Sequence, residues 1–232
     1  MFKLISLELR KQRFARYIGY AAMIDLALLL FLVLLGVTDH GAVDYVYSTF
    51  HASFTLIDTF VKAIFIIFAG ALLSRMIVGE YRNKKLGFLF TYPIKRYKFI
   101  TAKLVIIYFF TFAMILFTNI LISSIFVAMN DVYPFISDSL TGEQIRGMIM
   151  KYIVSSLSAA AMALIPLAFG MFKHSITMTM GSSVILVLIV CSGFNGPLLS
   201  LNSTIEVHLL LGAAGLLASW LSMLRLEKKD VK

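Results

Sequence analysis

Two adjoining stretches decide the fold: LIDTFVKAIFIIFAGALLSRMIV (56–78) and GEYRNKKLGFLFTYPIKRYKFITAK (79–103). The first is long and apolar enough to cross a bilayer, which takes about 20 mostly apolar residues. The second is rich in Lys and Arg, yet it carries Leu86, Phe88, Leu89, Phe90, Tyr92, Ile94, Phe99 and Ile100. A loop facing water alone has no use for that many large apolar side chains. What residues 86–93 touch is the question the sequence poses.

The rest of the chain agrees with a membrane setting. Of its 232 residues, 60% are hydrophobic and 14% charged, with a mean hydropathy of +0.91. Soluble domains run at about 45–50% apolar and about 25% charged. The fold class is therefore an all-α membrane protein, read as a single transmembrane domain over 1–232, with no room for a large soluble domain. The net charge of +9 would raise nucleic acid as a partner of a soluble protein. Here it reflects the Lys and Arg that gather in cytoplasmic loops, and no nucleic-acid partner is expected. Cys191 is the only cysteine, so an internal disulfide is excluded, and its apolar surroundings suit a small buried hydrophobe. A basic start followed by an apolar run resembles a signal peptide. The run 17–37 is too long for one and no A-x-A-like site follows, so it is read as a retained first span.

Six candidate spans emerge: 17–37, 56–78, 104–128, 152–171, 176–192 and 207–224. Lys and Arg set their orientation. Segment 1–16 holds five, 75–103 eight, 172–175 one and 225–232 four, which is eighteen of the 21 on one side. The opposite loops hold Arg146 alone. Both termini are thus expected in the cytoplasm. Residues 1–16 are expected to form an interfacial helix, with Phe2, Ile5 and Leu9 on one face but Leu4, Leu7 and Phe14 on another. Around Thr141 and Glu143 a short outer helix can start. The outer segment SGFNGPLLSLNST (192–204) either dips into the membrane edge or is a plain loop. Gly70-x-x-x-Ser74 and Gly215-x-x-x-Ser219 are small-residue pairs suited to close helix packing, and Pro166 is expected to kink the fourth span.

No catalytic constellation is present. There is no G-x-x-x-x-G-K-[ST], no H-E-x-x-H and no G-x-S-x-G, and the four histidines are scattered. No catalytic, cofactor or metal residues are assigned, and the chain is not read as an enzyme. Ionisable residues within spans are costly and so are the next candidates. Asp25 lies inside the first span. Asp58 and Lys62 are four apart in the second and can pair on one helix face. Alternatively, Lys62 reaches Asp25 on a neighbouring span. Each is either a structural contact or part of a polar transport path.

Read as a helix, the oily loop places Leu86, Leu89, Phe90 and Pro93 on one stripe. Pro93 ends it after about two turns. Such a stripe can lie on the bilayer or fill a groove in a partner protein, and helix physics alone does not choose.

The stretch 79–103 resembles the cytoplasmic segment between the second and third spans of ABC-2 type exporter permeases. The matching elements are Glu80, the apolar run 86–91, Thr91-Tyr92-Pro93, Arg96 and Lys103; Lys85 stands where many members carry Thr or Gly. Similarity is greatest to the small permeases of antimicrobial-peptide exporters and immunity transporters. The resemblance implies a short coupling helix in 79–103 that seats in a groove of a separate ATPase. Leu86, Leu89, Phe90, Thr91 and Pro93 would make the contact, Glu80 would sit at the hinge, and Arg96 would pair with an acidic rim. Each large side chain so buried is worth about 1.5–3 kcal/mol. It further implies two ATPase subunits carrying ATP and Mg, a second permease copy or sibling, a re-entrant 192–204, and export of an amphipathic peptide or other hydrophobic cargo across a bacterial plasma membrane. The alternatives are an intramembrane enzyme and a non-transporting scaffold.

Overall fold

The computed structural model describes residues 14–38, 50–82, 96–132, 142–173, 175–191 and 210–220, and the described residues are helical almost throughout. The helices are α1 (Phe14–Thr38), α2 (Phe50–Leu73), a π-helical turn (Ser74–Val78), α3 (Gly79–Arg82), α4 (Arg96–Val132), α5 (Gly142–Met162), α6 (Ile165–Lys173), α7 (Ile176–Cys191) and α8 (Leu210–Trp220). Among the described residues, three stretches are long and apolar enough to cross a membrane: Phe50–Val78, Phe99–Asn130 and Gly142–Phe172. Two shorter apolar helices, α7 and α8, accompany them. This is an all-α membrane protein.

Several boundaries differ from those the hydropathy suggested. α1 is already helical at Phe14, with no break where the span was expected to begin at Tyr17. α4 has 37 residues. At 1.5 Å per residue that is about 55 Å, well beyond a hydrocarbon core of about 30 Å. The outer helix expected near Glu143 is not a separate element: it is the first part of α5, which runs on into the fourth span. Glu143 in its first turn complements the positive end of the helix dipole. The helical run then breaks at Ala163 and Leu164 and resumes at Ile165. Pro166 accounts for this, because it has no N–H to give to the carbonyl one turn earlier. The expected interfacial helix up to residue 13, the residues 83–95 and the outer segment 192–204 lie outside the described residues.

α2 is the hub. It packs on α4, α5 and α7, while α6 and α7 lie side by side. One apolar cluster joins Phe54, Ile57, Val61 and Phe65 of α2 to Ile115 and Ile122 of α4 and Tyr152 of α5. A second gathers Leu72, Met76 and Ile77 with Ile100, Leu104 and Leu167. Small residues let the backbones meet, as expected where apolar lipid gives helices no hydrophobic reason to associate. A Cβ on Gly70 would lie 2.5 Å from Ser183 Cβ of α7, and one on Gly215 would lie 2.2 Å from the Ala161 carbonyl oxygen of α5. Between α6 and α7, a Cβ on Gly170 would lie 2.0 Å from Thr179 Oγ1. The tight turn there is closed by the Ser175 N–H on the Gly170 carbonyl, 3.2 Å.

Candidate functional site

Polar side chains collect at two places in the bundle. The first lies among α2, α4 and α5. Asp58 and Lys62 sit one turn apart on α2 and pair at 2.9 Å, each side chain 3% exposed. Asn119 of α4 donates to Asp58 Oδ1 at 2.9 Å. Ser155 of α5 donates across both carboxylate oxygens, at 2.7 and 3.0 Å. The carboxylate thus takes donors from all three helices, the satisfaction a buried charge requires. Around it, Lys151 donates to Thr55 Oγ1 at 3.1 Å. The Ser123 and Tyr152 hydroxyls lie 2.7 Å apart, and Tyr152 also donates to the Phe54 carbonyl at 3.4 Å. Asn119 Oδ1 is buried and accepts no hydrogen bond among the described residues.

Asp25 stands beside this network. It is buried at 9% exposure and accepts from Thr118 Oγ1 at 2.8 Å. Thr118 and Asn119 are consecutive on α4, so the two carboxylates are held by neighbouring residues of one helix. Of the two partners the sequence allowed Lys62, the structure selects Asp58 on its own helix.

The second place is where α2 ends and α4 begins. Residues 74–78 form a π turn, in which the Gly79 N–H reaches back five residues to the Ser74 carbonyl. Such turns are often found at functional sites. Glu80 follows in α3. Lys103, near the start of α4, is 1% exposed. Its ammonium forms an ion pair with Glu80 Oε2, donates to the Met76 carbonyl at 2.9 Å and lies 4.5 Å from the Phe99 ring centroid. Arg96 opens α4. The other expected contact residues, Leu86, Leu89, Phe90, Thr91 and Pro93, lie outside the described residues.

Sequence reasoning assigned no site role to Thr118, Asn119, Ser155, Lys151 or Lys103. One signal was present for Asn119: it is the only amide in the span 104–128. Among the described residues, no group of three His, Cys, Asp or Glu side chains comes together in a way that suits a metal ion.

Comparison with known proteins identifies the family. The family model described as ABC-2 family transporter protein matches residues 4–192. The chain is also 36% identical over 227 residues to the uncharacterized protein YcbO of Bacillus subtilis (strain 168), covering 98% of this chain and 99% of that protein. No solved structure matches. An apolar helical bundle with charged groups buried between its helices, matched by that family model over most of its length, places the assignment beyond composition alone: the chain belongs to the ABC-2 family of transporter proteins, as a membrane component of an ABC transporter.

Proposed function

We propose that the chain is the permease of an ATP-driven exporter and carries an amphipathic peptide or another hydrophobic cargo out of a bacterial cell. ABC-2 permeases work with ABC ATPase partners. In this reading two ATPase subunits, with ATP and Mg, drive a pair of permeases. Each permease has six spans and both termini in the cytoplasm of the cell. Residues 79–103 form the coupling segment, with Leu86, Leu89 and Phe90 in the ATPase groove, Glu80 at the hinge and Arg96 facing an acidic rim.

The observation that carries this reading is the anchorage of that segment. The chain leaves the bundle from a π turn whose Met76, Ile77 and Val78 are buried, and re-enters at α4 through the buried Lys103. A push on the intervening residues would therefore be delivered to the second and third spans, which also hold Asp58 and Asn119. Among the described residues the charged groups within the spans are few and do not form a dense path such as an ion pump would have, which favours a hydrophobic or amphipathic cargo over a small ion. Replacing Leu89 and Phe90 together by Asp is expected to leave the protein inserted and to abolish co-purification of the ATPase. Full retention of the ATPase by that double variant would overturn the coupling role. Screening candidate peptides and lipids for stimulation of ATP hydrolysis by the purified complex tests the cargo.

A further inference from the structure

We infer that Lys103 is a positioning residue of the joint, tying the two ends of the coupling segment to each other so that they move as one unit. The inference rests on the coupling reading above but assigns a role to a residue outside the groove contact. Glu80 and Lys103 are 23 residues apart in sequence, yet their charged groups meet. Residues 83–95 lie between them in sequence, so the ion pair joins the described residues on either side of that stretch.

Three features make Lys103 a clasp rather than a surface ion pair. It is 1% exposed, whereas the Glu80 side chain is 22% exposed, so the fixed end is the lysine and the reachable end the carboxylate. Its ammonium also holds the Met76 carbonyl, within the π turn. A π turn departs from the regular i→i+4 ladder, and here one of its carbonyls takes a donor from another helix. The Phe99 ring lies against the same ammonium, one turn earlier on α4. Lys103 therefore grips α2 at its π turn and α3 at Glu80 while its own backbone belongs to α4. A displacement of the segment's first end is transmitted to its second end without passing through the intervening residues.

The test uses the full chain co-purified with its ATPase in lipid nanodiscs, with Cys191→Ser and spin labels at Arg82→Cys and Tyr97→Cys. Pulsed electron resonance then reads the distance between the two ends. The expected result is one narrow distribution that stays the same with and without nucleotide. Lys103→Met and Glu80→Gln should broaden it. Lys103→Arg, which keeps the charge, should restore it. In both broadened variants the ATPase still co-purifies, but hydrolysis per ATPase departs from the wild-type complex by about fivefold or more, the lower range of a coupling effect. Should Lys103→Met fail to fold, Glu80→Gln carries the test alone, since it leaves Lys103 its Met76 and Phe99 contacts. A distribution that stays narrow in the variants overturns the clasp. Broadening with unchanged hydrolysis overturns its role in coupling. If the wild-type chain retains no ATPase, the proposed function falls first, and the distance measurement still reports whether the clasp exists.

Discussion

At the residue scale the buried carboxylates do different things. Asp58 is neutralised by Lys62 and further held by Asn119 and Ser155. A buried ion pair adds little net stability, but removing one member strands the other, at about 3–5 kcal/mol. Asp58→Ala is therefore expected to destabilise the protein by about that much. The double variant Asp58→Leu/Lys62→Met should lose clearly less, because neither member of the pair is left to stand alone. Unfolding in detergent, followed by temperature or denaturant, measures both. Equal losses would mean that the pair is not what holds these helices together. Asp25 has Thr118 as its hydrogen-bond donor. Asp25→Asn keeps an acceptor for that hydroxyl and deletes only the charge. If the charge serves transport, cargo flux should fall while the amount of assembled complex stays constant. A parallel fall in both would assign Asp25 to structure.

At the element scale the helices are held by shape as much as by polar contacts. Gly215 lies so close to the backbone of α5 that no side chain fits without moving a helix. Gly215→Leu is expected to cost about 1–3 kcal/mol, the usual penalty of overpacking. Gly19→Ala is the control. Among the described residues, no atom beyond its chain neighbours and its own helix backbone lies within 4 Å of its would-be Cβ, and alanine in mid-helix gains about 0.5–1 kcal/mol over glycine. Loss of stability in Gly19→Ala, or none in Gly215→Leu, would contradict this packing. These elements also mark what the sequence could tell. Hydropathy located the apolar cores of the three stretches long enough to cross a membrane, because the cost of exposing polar backbone to lipid acts on each helix separately. Pro166 announced the break between α5 and α6, since the missing N–H is a local fact. The i, i+4 spacing made Asp58–Lys62 readable for the same reason. Asn119, Ser155 and Lys103 were not readable as partners. Each reaches across to another helix, and helical periodicity says which residues share a face but not which faces meet. The π turn and the length of α4 escaped likewise, as both depend on what packs around the helix ends.

At the scale of the whole molecule, apolar side chains point outward as well as inward. Met23 and Leu26 of α1, Leu188 and Ile189 of α7, and Leu217 and Trp220 of α8 are all exposed. In water that surface would aggregate; in a bilayer it meets lipid at no cost. Among the described residues, polar groups such as Asp58, Lys62 and Asn119 are instead drawn between helices. Sidedness is then a matter of charge. Moving Lys and Arg clusters across the membrane during insertion is disfavoured, so the side to which the six-span reading assigns eighteen basic residues is expected to be the cytoplasmic one. On that expectation residue 85 is inside the cell and residue 203 outside, and the lone native cysteine makes it simple to test. In a Cys191→Ser background, Ser203→Cys should react with a membrane-impermeant maleimide in intact cells. Lys85→Cys should react only after the membrane is opened. Reaction of Lys85→Cys in intact cells would reverse the orientation. It would also put the apolar stripe of 86–93 out of reach of any cytoplasmic ATPase, so the coupling reading and the topology stand or fall on the same measurement.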